Sequence, residues 1–329
     1  MMRVAIIGRH QALYAAGLAA MEWGHEIGCV VTARSRPEYL RHEDDFQKLA
    51  RMAGCPFLMS PNFADTAVRR LLDGLDAAIS MNWVSILDEK VLGLFNIGVL
   101  NVHYGPLPRY RGNACPNWAI LSGEDAIHLC IHVMEPGELD CGRVLREATL
   151  PLSPDTYISD VYDWGDSIIP SLFIEALDLL EADSQYTLRV ASPADLAAFR
   201  CHPRVTEDAH IDWNRPAAEL HRLVRASSSP LPGAYTYIFE KGKLSRLYIL
   251  RARETDGQGA DLAVPGQVTA RNQDGSLTVR CGEGALRLEL CRLDDCESFI
   301  PAARFASSRT RFGVDPLDVL YALGREGEP

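Results

Sequence analysis

The chain has 329 residues, 47% of them hydrophobic, which is ample for a sizeable core and long enough for two domains. It shows no signal-like N-terminal segment and no run of about 18 uncharged apolar residues, so a cytoplasmic protein without a membrane partner is expected. The net charge of −11 arises upstream of residue 211, because residues 211–329 hold 16 Lys+Arg against 16 Asp+Glu, and such a chain does not advertise a basic surface for nucleic acid. Nine cysteines are scattered without a C-x-x-C pair, so reduced thiols are expected and no metal site.

RVAIIG (3–8) reads as a buried first strand, residues 11–26 as a helix packed on a sheet, and GCVVTA (28–33) as the second strand. Gly8 and Gly17 stand nine apart, so G-x-G-x-x-G is missing and dinucleotide binding is not supported. Helices over 45–54 and 66–75 alternate with strands over 56–60 and 77–83, and the loop 81–93 leads to the apolar strand IGVLNVH (97–103). After a helix at 115–125, strands at 128–135 and 143–151 extend the sheet. Residues 159–182 form a long amphipathic helix that Pro170 should kink or begin. Alternation of this kind implies an α/β fold, a Rossmann-like doubly wound parallel sheet over residues 1–183.

Residues 184–210 read as a linker with an early helix. After a helix at 216–227 come several short strands with a hairpin signal at Asp274-Gly275, so residues 211–329 read as a small β-barrel domain.

The chemistry concentrates at the end of the strand 97–103. Alternation puts Asn101 and His103 on one face, and Gly105, Pro106, Pro108 and Gly112 then force a loop with Arg109, Tyr110 and Arg111 at its mouth. Ligands bind at such carboxyl ends of parallel strands. A second strand ends at Pro136-Gly137, and the turn delivers Glu138 and Asp140. An Asn that donates to an oxyanion, a His that takes a proton and a carboxylate that holds the imidazolium suit acyl transfer to an amine, with no Ser or Cys nucleophile required. Cys141, beside Asp140, has no activating neighbour in the sequence and reads as structural.

Asn101-x-His103, the loop LPRYRG (107–112) and Leu139-Asp140-x-Gly142 together resemble the 10-formyltetrahydrofolate-dependent formyltransferases, a family that includes methionyl-tRNA, aminoarabinose and other sugar-amine formyltransferases. The resemblance extends to residues 211–226 and 232–238, which look like the start of that family's OB-like C-terminal domain. It implies Asn101, His103 and Asp140 as catalytic residues and 10-formyltetrahydrofolate as donor. It also implies a pterin held between Met81, Asn82, Trp83, Val84 and Ile86 on one side and Glu135, Gly137, Glu138 and Leu139 on the other. Trp83 reads equally as a plain core aromatic. Family members carry Ser-Leu-Leu-Pro after the histidine where this chain has Tyr104-Gly105-Pro106-Leu107-Pro108, a departure that bears on the acceptor more than on the chemistry.

The tRNA enzymes of the family carry a basic loop after the second strand. The matching stretch, 33–50, holds Glu43, Asp44 and Asp45, which favours a small amine acceptor such as a nucleotide-linked amino sugar. Tyr104, Arg109, Tyr110 and Arg111 then line the acceptor side, with the arginines and Arg225 as phosphate partners, although Arg225 reads equally as a surface arginine. Methionyl-tRNA, a siderophore or peptide amine such as hydroxyornithine, hydrolysis of the formyl-folate and an idle folate-binding protein are the competing readings, and a homodimer is left open.

Overall fold

The elements follow one another as β1 (Arg3–Gly8), α1 (Gln11–Glu22), β2 (Glu26–Thr32), α2 (Glu43–Ala53), β3 (Phe57–Met59), α3 (Thr66–Leu72) and β4 (Ala77–Met81). Next come α4 (Glu89–Leu92), β5 (Gly98–His103), β6 (Arg111–Gly112), α5 (Cys115–Ser122), β7 (Ala126–Val133), β8 (Gly142–Pro151), α6 (Ile158–Ala182), β9 (Arg189–Ala191) and β10 (Arg200–Cys201). The computed structural model describes residues 1–321 except 241, 256–261, 295, 306, 308, 316 and 318. Two compact units emerge, one of residues 1–116, 125–152 and 160–203, the other of residues 117–124, 153–159 and the chain from 204 onward.

The first unit is built on an eight-stranded sheet in the order β3-β2-β1-β4-β5-β7-β8-β9. Val4 and Ile6 of β1 join a core with α1, α2 and α6, while Ala5 and Ile7 join a second core with α3 and α4. A strand covered on both faces must be apolar at every position, which is why RVAIIG does not alternate with polar residues.

The sheet is parallel from β3 to β5, and then β7, β8 and β9 each run antiparallel to their neighbour, a departure from the all-parallel sheet expected. For β7 and β8 the reason lies in loop length. Eight residues join β7 to β8, enough for a hairpin but too few for a parallel crossover.

Two other expectations are revised. Helix α6 spans Ile158–Ala182 with Pro170 inside it, so the proline does not begin the helix. The segment 184–210 holds no early helix. It contributes β9 to the sheet and β10 to a two-stranded pairing with β6. Between them Ser192 Oγ accepts from Ala194 N–H and Asp195 Oδ1 from Ala197 N–H, local turns that compete with helix formation.

In the second unit, α7 (Ala217–Ser227) shares a core with an antiparallel sheet of β11 (Ala234–Glu240), β12 (Lys243–Thr255), β13 (Val268–Arg271), β14 (Leu277–Arg280), β15 (Ala285–Leu293) and β16 (Ser298–Phe299). This is the small β domain the sequence implied, with Asp274 and Gly275 in the turn between β13 and β14.

Candidate active site

Strand β5 lies between β4 and β7; the loop 82–86 leaves the parallel β4 level with the end of β5, whereas the loop 134–141 leaves the antiparallel β7 level with Val99 and folds back to bring Asp140 to His103. Asp140 adopts the left-handed backbone region (φ 52°), and this turn brings its carboxylate back beside His103, with Oδ1 3.5 Å from His103 Nδ1. The other oxygen, Oδ2, accepts from Gly112 N–H at 2.7 Å. His103 is 6% exposed, and its Nε2 lies 2.6 Å from the Tyr110 carbonyl. A carbonyl can only accept, so Nε2 carries a proton and Nδ1 is the basic nitrogen of the neutral ring. A proton arriving at Nδ1 falls between the ring and Asp140.

His132 completes the arrangement and was not anticipated from the sequence. It stands opposite Asn101 in the β5–β7 register, and its Nδ1 lies 3.3 and 3.1 Å from the carbonyls of Val133 and Cys141. Those two acceptors fix the proton on Nδ1, leaving Nε2 to accept from Asn101 Nδ2 at 3.2 Å. The Asn101 amide is thereby oriented, with a second N–H left to offer. Burial first, then the neighbouring His103, pushes His132 down to about 4, so its ring is neutral at pH 7.

The residues expected to hold a pterin are distributed unevenly. Met81 is buried at the end of β4, while Val84 (54% exposed) and Ile86 (74% exposed) present apolar side chains to solvent beside it. Asn82 Nδ2 donates to the Tyr39 hydroxyl at 3.2 Å. Trp83 packs edge-on against Phe63 and donates to Ser85 Oγ, which places its ring at the margin of the α3–α4 core. On the other side Glu135, Gly137 and Glu138 are exposed, and Leu139 is partly so.

Arg111 does not project as a free phosphate ligand. It pairs with Glu138 at 3.0 Å and donates to the Leu139 carbonyl at 2.8 Å, fastening the loop after β5 to the loop carrying Asp140. Arg109 lies 5.6 Å from the ring centres of both Tyr110 and Phe199, and Tyr110 is buried. Tyr104 is set by strand alternation on the face away from His103. Its hydroxyl packs against Gly165 and its ring against Tyr162, and burial pushes the phenol well up. Arg225, in the second unit, is buried and donates to the carbonyls of Ser153 and Thr156, a structural use. Cys141 donates to the Glu138 carbonyl, and burial raises its thiol, consistent with a structural residue.

Among the described residues one grouping has metal-ligand composition, His25, Asp178 and Glu181. His25 Nδ1 accepts from Met2 N–H at 3.2 Å, so its proton resides on Nε2 and no lone pair faces the two carboxylates.

The acidic run after β2 also changes meaning. Glu43, Asp44 and Asp45 form the first turn of α2, where carboxylates complement the helix dipole. Glu43 accepts from Ser35 N–H, and Asp45 accepts from His42 N–H beside Arg41 and Lys48. The loop proper, 33–42, holds Arg34, Arg36 and Arg41 against Glu38.

Residues 2–177 match the family described as "Formyl transferase", and residues 205–309 match "Formyl transferase, C-terminal domain". The chain belongs to the formyltransferase family. A methionyl-tRNA formyltransferase of Sinorhizobium medicae is 31% identical over 293 residues, covering 87% of this chain and 90% of the relative. One from Methylobacterium sp. is 33% identical over 274 residues, 80% of this chain and 83% of its own. Among solved structures, the N-formyltransferase of Helicobacter canadensis in complex with folinic acid and dTDP-3-aminofucose superposes with a TM-score of 0.63 at 13% identity, covering 91% of this chain and 100% of that one. HypX from Aquifex aeolicus with tetrahydrofolic acid gives 0.59 at 18% identity, over 92% of this chain and 46% of that one. At these identities the structural likeness speaks for the fold. In this formyltransferase Asn101 and His103 on β5 and Asp140 in the loop before β8 come together, with His132 beside them.

Proposed function

We propose that this formyltransferase moves the formyl group of 10-formyltetrahydrofolate to the amine of methionyl-tRNA, with Asn101, His103 and Asp140 as its chemical set. The observation that carries the chemistry is the convergence of an oriented Asn101 amide, the basic Nδ1 of His103 and the Asp140 carboxylate at the end of β5. As the amine attacks the formyl carbon, negative charge grows on the formyl oxygen, and the second N–H of Asn101 is there to receive it. His103 Nδ1 takes the proton that the nitrogen sheds, directly or through a water, and Asp140 holds the resulting imidazolium. Main-chain groups of the loops 82–86 and 134–141, with the apolar Val84, Ile86 and Leu139, suit a flat, hydrogen-bonding pterin.

For the acceptor, the methionyl-tRNA reading is supported by the extent of the match to methionyl-tRNA formyltransferases, which spans both family domains. The stretch 33–45 does not separate the readings, since Arg34, Arg36 and Arg41 face Glu38, Glu43, Asp44 and Asp45, with Arg36 beside Glu38 and Arg41 beside Asp45. A small amine such as a nucleotide-linked amino sugar is the second reading, favoured by the overall charge of −11. Formylation of methionyl-tRNA against a panel of amino-sugar nucleotides, at several salt concentrations with the formyl donor present, separates the two. Efficient, salt-sensitive use of the tRNA supports the first reading, and exclusive use of a small amine replaces it with the second.

A further inference from the structure

In the second unit, Ala234 and Ile238 of β11 and Leu247 and Ile249 of β12 turn into the core, which leaves Tyr235, Tyr237 and Phe239 on the other face of the sheet with Arg246 and Tyr248. The register sets them in rows. Tyr235 stands opposite Tyr248 and Tyr237 opposite Arg246, and Arg292 of β15 continues the first row beyond Tyr248. The Arg246 guanidinium lies 4.8 Å from the centre of the Tyr235 ring and 5.9 Å from that of Tyr237, and that of Arg292 lies 4.6 Å from the centre of the Tyr248 ring. His210, which is exposed, leans on Tyr235 and Tyr237 with ring centres 5.3 and 5.6 Å away. The lining of an open depression of about 530 Å³ includes Tyr237, Lys243, Arg246, Tyr248 and Asp294.

The solvent face of a sheet that covers a core with its other side is ordinarily polar, and arginines on such a face ordinarily find carboxylates. Elsewhere in this unit they do: Arg215, Arg253, Arg287 and Arg304 pair with Glu219, Glu289, Asp274 and Glu240. Arg246 and Arg292 are used differently, and among the described residues neither guanidinium forms an ion pair. Arg292 donates to the carbonyls of Pro232 and Asp294, and the Asp294 carboxylate accepts from the main-chain N–H of Arg246. Both guanidinium planes therefore rest on tyrosine rings with their charge left over, beside Lys243. Flat π-faces and uncompensated cations in one patch are complementary to flat bases on a phosphate chain.

We propose that this patch is a stacking platform for an unpaired stretch of RNA, with bases lying against Tyr237, Tyr248 and the Arg246 guanidinium and with Lys243 and Arg292 meeting the phosphates. A strand suits it better than a single nucleotide. Tyr235, Tyr237 and Phe239 repeat at every second residue of β11, so the rings follow one another at about 7 Å and seat more than one base. Phe239, at the far end of the series, is 38% exposed. The platform deepens the methionyl-tRNA reading and rests on it for the identity of the RNA. Every base has a π-face, so the contact adds hold without choosing a sequence, and it supplies affinity that counterion release does not, which suits a chain of net charge −11.

The test follows the anisotropy of fluorescein-labelled octaribonucleotides, one of adenosine and one of uridine, on the full-length protein at several salt concentrations, with neither methionine nor formyl donor present. Both should bind. Tyr237→Leu and Tyr248→Leu should each weaken binding about tenfold, whereas Tyr237→Phe and Tyr248→Phe stay within about threefold of the parent. Arg246→Lys keeps the charge and loses the plane, so it should weaken binding severalfold with the salt slope unchanged. Circular dichroism melts identify the variants that remain folded. Four outcomes would overturn the proposal: no binding of either octamer, parent-like binding by both folded Leu variants, parent-like binding by Arg246→Lys, which would reduce the contact to charge, and competition by adenosine or uridine monophosphate as strong as by the unlabelled octamers, which would make the depression a mononucleotide pocket. Formylation of methionyl-tRNA assayed alongside keeps the two readings apart. A protein that binds the octamers through these tyrosines yet formylates only small amines retains the platform and loses the tRNA as acceptor.

Discussion

Asn101 on β5 and His132 on β7 form a cross-strand pair in which the asparagine donates to a histidine whose own proton is held by two backbone carbonyls. The pairing settles which way the amide faces. A reacting oxygen near Asn101 therefore meets an N–H and no competing carbonyl oxygen.

Substituting the amide tests this directly. Asn101→Asp places an acceptor where negative charge develops and should lower kcat by on the order of 100- to 1000-fold, with binding of the folate donor kept within a few-fold. Equal loss of binding and turnover, measured by titration and single-turnover kinetics, would make Asn101 a binding residue.

For His132 the replacement decides the outcome. His132→Gln can still accept from Asn101 with its carbonyl and donate to the backbone with its amide, so transfer should stay within about tenfold of the parent. His132→Leu frees the Asn101 amide to rotate and should cost on the order of 10- to 100-fold. Identical rates for the two variants would remove His132 from the positioning argument.

The same ring makes an acid-sensitivity prediction. His132 is held down to about 4 in the fold against 6.5 in the unfolded chain, so the unfolded state binds more protons between these values. The contribution to stability is complete above pH 6.5 and is lost as the pH falls toward 4, amounting to about 3 kcal/mol. Urea midpoints of parent and His132→Gln should converge on acidification. Parallel curves from pH 7.5 to 4.5 would show that His132 does not titrate with unfolding.

His103→Ala removes the proton acceptor and should reduce formyl transfer on the order of 100-fold or more while the donor still binds. Asp140→Asn keeps an acceptor for Gly112 N–H but loses the charge opposite the imidazolium, so a smaller loss is expected, on the order of 10- to 100-fold. Parent-like turnover in a folded His103→Ala protein would sink the catalytic assignment.

Replacing Arg34, Arg36 and Arg41 together by Gln should weaken use of methionyl-tRNA at least tenfold and flatten its salt dependence, with the donor unaffected. An unchanged salt slope would place the RNA contact elsewhere or favour the small-amine reading.

Much of this was legible in the chain because local rules governed it. Alternation put Asn101 and His103 on one face, and the Gly and Pro residues from 105 to 112 could only turn. His132 was hidden because a histidine inside an apolar strand looks like a satisfied core residue, and its role depends on a register with β5 that strand patterns do not encode. The acids at 43–45 were misplaced for the opposite reason. Three carboxylates ahead of an amphipathic run are a helix-start signal, which a reading of them as loop charge passed over. The uses of Arg111 and Arg225 depend on partners brought close by tertiary structure, so the sequence offered only their charge.

The switch from parallel to antiparallel pairing at β5 and β7 keeps Asn101, His103, His132 and Asp140 within one stretch of 40 residues. Bringing the ends of so short a segment together costs little chain entropy, which rises only slowly with loop length. The four side chains can therefore be drawn together by local closure, while the loop that holds them, at Tyr110 and Gly112, is completed only when Phe199 and β10 arrive.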